Sequence, residues 1–198
     1  SCPLGLIKAL DDTSKEDFGI LHVDAHHDLR EAYEGFTYSH ASIFYNVLNE
    51  CKNVSKLIQI GIRDYSKEES QRMINLGDKG DCLYDTAMQA QIATGKSLEE
   101  VFTPYIEQLP KNVYISIDID GLEPLNCPNT GTPVPGGLRY GELEHLIFMV
   151  VKSGRKIIGF DLVEVGDSKN GWDANVGARV LYNLCGALLA SQGKIEYR

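Results

Sequence analysis

The chain has 198 residues, 43% of them apolar and 24% charged, with a formal net charge of −9. That length can bury one large core, and no apolar run approaches the ~20 residues needed to span a bilayer. An acidic balance without clustered Lys and Arg excludes the phosphate-binding surface that nucleic acid requires.

The five cysteines, Cys2, Cys51, Cys82, Cys127 and Cys185, are scattered, odd in number and free of CxxC spacing. They predict reduced thiols in a cytoplasmic protein, not a disulfide framework or a zinc site.

In chain order, helix-length and strand-length segments alternate. A helix is predicted over Pro3–Leu10, with the proline suited to a first turn, followed by a strand over Gly19–Val23 and a helix over Ser42–Asn49. A strand over Leu57–Ile62 leads to helices over Lys67–Leu76 and Leu98–Leu109. The last elements are a strand over Val113–Ile119, a helix over Arg139–Val151, a strand over Ile157–Val163 and a helix over Ala174–Ala190. Strands this rich in Ile, Val and Leu suit a mainly parallel sheet covered on both faces, so the fold class is α/β. Without repeats or a flexible linker, residues 1–198 read as one domain.

Chemistry concentrates where two strands end. Asp24, His26 and Asp28 alternate after the first strand, and alternate residues share a face as long as the backbone stays extended. Such a mixed oxygen and nitrogen set suits Mn²⁺, Fe²⁺, Ni²⁺ or Zn²⁺; a solvated strand end is the bland alternative. Asp118 and Asp120 repeat the geometry on a second strand. Carboxylates so close repel unless a cation or a shared proton intervenes. Both motifs fall where open α/β sheets bind ligands, beyond the carboxyl ends of the strands.

The segments Asp24-Ala25-His26-His27-Asp28 and Ser116-Ile117-Asp118-Ile119-Asp120, followed by Thr130-Gly131-Thr132-Pro133-Val134-Pro135-Gly136-Gly137, resemble the signature set of the ureohydrolase family of arginases and agmatinases. The resemblance implies a three-layer arginase-like fold and two divalent metal ions, Mn²⁺ foremost. It further implies Asp24 and Asp118 as bridging ligands, with Asp28 on one ion and His26 and Asp120 on the other. A water activated by the ions would attack a guanidinium carbon, oriented by Asp28. His40 would pass a proton to the leaving amine, and Glu164 would hold the guanidinium. The family also implies a small-molecule guanidino substrate and a homotrimer or homohexamer.

Two departures accompany the resemblance. Glu123 stands where the family usually has Asp, which predicts a slightly shifted loop. Ser1-Cys2-Pro3 resembles the family's GGDHS motif from its serine onward, which predicts an N-terminally truncated domain lacking that motif's ligand histidine and the preceding strands. The run from Asp28 through Tyr38-Ser39-His40-Ala41 is more similar to the agmatinase branch than to arginase. Agmatine, giving putrescine and urea, is the expected substrate; arginine, guanidinobutyrate, formimidoylglutamate and free guanidine are the alternatives. A deacetylase-like enzyme with one metal, or a catalytically silent subunit, are the competing readings.

Overall fold

The computed structural model of the protein describes residues 2–167 and 169–196. Ser1, where the similarity to GGDHS begins, lies outside the described residues. Five parallel strands form one sheet: β1 (Phe18–Val23), β2 (Val54–Ile62), β3 (Gly80–Tyr84), β4 (Asn112–Asp118) and β5 (Lys156–Val163). Their order is β3-β2-β1-β4-β5. The helices are α1 (Pro3–Thr13), α2 (Ile43–Glu50), α3 (Lys67–Asn75), α4 (Asp85–Ala93), α5 (Leu98–Ile106), α6 (Tyr140–Lys152) and α7 (Trp172–Ser191).

The four predicted strands and six predicted helices are present, with ends shifted by a few residues. β3 and α4 are additions. Every residue of β1 and β4 is buried, as expected where helices cover both faces. One core layer joins Leu21, Val23, Ile58, Ile60, Ile115 and Ile117 to residues of α4 to α7. The other joins Phe18, Ile20, Leu57 and Tyr114 to residues of α1, α2 and α3. Alternation along each strand therefore feeds two cores at once. This is the three-layer α/β architecture that the sequence implied.

The strand order positions the site. From β1 the chain builds outward through β2 to β3, then returns to add β4 on the opposite side of β1. The reversal makes a topological switch point between β1 and β4, where open α/β sheets form a crevice. The acidic motifs end those two strands. No helix among the described residues is long and apolar enough to cross a membrane.

Candidate metal and substrate site

β1 stops at Val23, and the chain does not stay extended through Asp28, which has a φ of 54°. The extended backbone on which a shared face is conditional therefore ends before Asp28. Beyond β1, Ala25 O accepts from Arg63 N (2.8 Å) and Asp64 N (3.0 Å), which carries the chain past the end of β2. It then turns back. A left-handed conformation costs a residue with a Cβ roughly 1–2 kcal/mol, so the turn must be held. Asp28 O accepts from Phe44 N at the start of α2 (3.1 Å), and Arg30 N donates to Ala41 O (3.0 Å). Between them, Leu29 N donates to Oε1 of the buried Glu69 (3.2 Å). Glu69 is already fixed, because Glu69 and Ser66 form the capping box that starts α3.

β4 ends more tightly. Asp118 Oδ1 accepts from Asp120 N (3.0 Å), closing a 3-10 turn over Ile119–Gly121. Asp120 then reaches across the switch point: Oδ1 accepts from Ala25 N and Oδ2 from Thr132 Oγ1, both at 3.1 Å. Gly121 passes so close to β1 that a Cβ there would lie 2.8 Å from Asp24 N. Arg63 binds this turn to the loop over residues 130–137, donating from one terminal nitrogen to Asp120 O (2.6 Å), Leu122 O (3.2 Å) and Val134 O (3.0 Å).

The two ends bring together two groups of donor atoms, each within 4.8 Å: His22, Asp24 and Asp28, and Asp24, His26 and Asp120. They share Asp24. Asp118 lines the adjoining pocket of about 150 Å³ with His26, Asp28, His40 and Glu164. All seven predicted site residues therefore lie in or directly against one crevice. Asp24 and Asp120, grouped with the pocket-lining His26, are each 1% exposed.

The electrostatics are those of crowded carboxylates. Burial, together with the charge of Asp24, pushes Asp28 and Asp118 well above the usual carboxylate range. Burial also raises Asp120, although His26 opposes it. At Asp24 burial acts upward too, but His22 and His26 outweigh it and hold the carboxyl far below its usual value. Burial lowers His26, yet Asp120 and Asp24 overcome this and bring it up to about 10. A divalent cation would relieve this repulsion, and the mixed oxygen and nitrogen donor set fits a transition-metal ion.

Glu164, immediately after β5, has a φ of 60°. Among the described residues three non-glycine residues have positive φ, Asp28, Glu34 and Glu164, and two of these line the pocket. Backbone strain gathers at functional sites in this way. Thr130 Oγ1 donates to Glu164 O (2.9 Å), anchoring that turn to the loop after β4. His40 opens a 3-10 turn ahead of α2, its ring 5.5 Å from that of Tyr33. Sequence reasoning missed Arg30, Tyr33, Asp64, Glu69 and Thr132, which also line the pocket. Thr132 had a signal, since it lies inside the loop motif; Asp64 and Glu69 arrive from β2 and α3 with none.

The sequence profile of the arginase family matches residues 1–186. An N(1)-aminopropylagmatine ureohydrolase of Thermus thermophilus is 36% identical over 170 residues, covering 86% of this chain and 54% of the relative. An agmatinase of Halalkalibacterium halodurans is 37% identical over 155 residues, covering 75% and 47%. The chain thus spans about half the length of these curated relatives. Among solved structures, agmatine ureohydrolase of Thermoplasma volcanium superposes with a TM-score of 0.73 at 28% identity, covering 96% of this chain and 60% of that one. Proclavaminate amidino hydrolase from Streptomyces clavuligerus shares the fold, with a TM-score of 0.77 at 23% identity.

Proposed function

The chain belongs to the arginase family, and on that premise we propose that it hydrolyses a guanidino compound at the β1/β4 crevice, with agmatine as the leading substrate. The observation that carries the reading is the convergence of Asp24, His26, Asp28, Asp118 and Asp120 beneath a pocket that His40 and Glu164 also line. Asp24, Asp28 and Asp118 would hold one divalent ion, and Asp24, His26, Asp118 and Asp120 a second, with Mn²⁺ the foremost candidate. When bound, the ions supply an activated water as nucleophile.

The chain's own residues do the rest. Glu164 binds the planar guanidinium through charge-assisted hydrogen bonds. Asp28, fixed in its turn, accepts a hydrogen bond from the attacking water and aligns it. His40, at the pocket rim, delivers a proton to the leaving amine. A homo-oligomer of the trimer or hexamer type and a cytoplasmic location belong to the same proposal.

Agmatine is favoured over arginine by the pocket wall. Asp64, Glu69 and Glu164 make it acidic, which suits a substrate with a cationic tail. Its one arginine, Arg30, already faces Glu69 (3.4 Å) and stacks on Tyr33 (5.1 Å). An α-carboxylate would lose hydration without a free partner, costing about 1–3 kcal/mol. The test is urea release from agmatine, N(1)-aminopropylagmatine, guanidinobutyrate, arginine, formimidoylglutamate and guanidine. Agmatine or its aminopropyl derivative is expected to lead, and Glu164→Gln to depress every substrate without reordering them. A preference for arginine refutes the branch assignment; no urea from any compound favours a silent subunit.

A further inference from the structure

The proposed chemistry gives no role to a row of buried polar side chains on the α1–α3 face of the sheet. His22 of β1 lies in register with Gln59 of β2. Both are buried, as is His27 beyond the strand. Their hydrogen bonds have one consistent direction. Gln59 Nε2 donates to the backbone oxygen of His27 (2.8 Å), which can only accept, so the amide orientation is fixed. Gln59 Oε1 must then accept from His27 Nδ1 (2.6 Å). The second hydrogen of Gln59 Nε2 points at His22 Nδ1 (2.8 Å). That nitrogen accepts, so the proton of a neutral His22 sits on Nε2. His22 Nε2, 2.8 Å from Asp24 Oδ2, donates to it. At the far end His27 Nε2 is the acceptor, so the Tyr84 hydroxyl donates to it (3.3 Å).

The donor atoms of His22, Asp24 and Asp28 lie within 4.8 Å, so His22 has the spacing of an ion ligand. Its hydrogen bonds argue otherwise, because a ligating Nε2 needs a free lone pair and the accepting Nδ1 leaves the proton there. We propose that His22 is a positioning residue: through a tautomer set by Gln59 and His27, it donates to Asp24 Oδ2 and does not bind the ion. The inference rests on the reading of Asp24 as an ion ligand. The Phe44 ring, 4.1 Å from that of His22, packs beside it.

Imidazole ¹⁵N NMR of the purified protein, metal-free and with Zn²⁺, reads the tautomer directly. His22 Nε2 is expected to stay protonated in both states. Loss of that proton on adding Zn²⁺ overturns the inference. Mn²⁺ titration provides the second measurement: His22→Leu should weaken binding about 10- to 100-fold, and His22→Gln, which can return an amide N–H near the Nε2 position, should recover most of it. If His22→Leu instead loses one ion from the stoichiometry and keeps the other at wild-type affinity, His22 is a ligand. If the wild-type protein binds no Mn²⁺ at all, the ion reading of the crevice fails and takes this role with it. The metal-free NMR spectrum keeps that outcome distinct from a wrong tautomer.

Discussion

The two strand ends that form the crevice carry similar residues on different backbones. After β4, Asp118 and Asp120 are delivered by one 3-10 turn, closed by the first aspartate's own side chain. After β1, the chain leaves the sheet, runs past β2 and reverses through a left-handed Asp28, which α2 and Glu69 hold in place. The backbone turn at the β4 end is closed locally. The β1 end is assembled by tertiary structure, so its second acidic group, Asp28, depends on residues far along the chain. Perturbing each end separately should expose that asymmetry.

The largest effect is expected at the β4 end. Asp118→Asn keeps the shape but removes a charge proposed to bridge both ions. Urea production should fall to background and ion retention with it, measured by elemental analysis and urea release on one sample. The metal-free variant should melt no lower than the wild-type protein, because Asp118 sits among carboxylates that repel it. Near-normal turnover with both ions retained would show that Asp118 is not a bridge.

An intermediate effect is expected at the β1 end from a residue that is not proposed to touch an ion. In Glu69→Gln the side chain keeps one good acceptor, whereas Glu69 accepts from Leu29 N through Oε1 and from Ser66 N through Oε2. One of those donors loses its partner, so either the Asp28 turn or the α3 cap loosens. Ion affinity should drop about 10- to 100-fold, as for other residues that orient ligands. If affinity is unchanged while α3 is destabilised, Glu69 serves the helix cap alone.

The same asymmetry explains what was legible in the sequence. Asp24, His26, Asp118 and Asp120 stand out because apolar strands stop at them, and the loop containing Thr132 marks the family. The four predicted strands are short runs rich in Ile, Val and Leu. β3 escaped because Gly80-Asp81-Cys82-Leu83-Tyr84 is a short, half-buried edge with one fully buried residue. α4 follows it without an intervening turn and buries little beyond Asp85 and Met88, so no periodicity betrays it. The left-handed Asp28, the Glu69 contact and the His22–Gln59–His27 row depend on side chains 30 to 40 residues apart in sequence. Periodicity within a single segment cannot reveal such partners.

The smallest effect isolates a half-buried acid outside the cluster. Asp161 of β5 is in register with Ser116, one row behind the strand ends, and accepts a hydrogen bond from Ser116 Oγ (2.9 Å). Burial raises its carboxyl from 3.8 to about 6, against the opposing influence of Tyr114 and Ser116. Below 3.8 the group is protonated in folded and unfolded chains alike and contributes nothing. Between those values the folded protein keeps a proton that the unfolded chain has lost, so stability falls as pH rises, and above about 6 the loss is complete. Asp161→Asn still offers Ser116 an acceptor and removes the ionisable group. Urea unfolding should show the variant gaining roughly 1–2 kcal/mol over the wild-type protein at pH 7, allowing for solvent screening at this edge strand. The gain should vanish near pH 4, with ion affinity unchanged at either pH. A gain that persists at pH 4 would mean that packing, not ionisation, separates Asp161 from the aspartates at the strand ends.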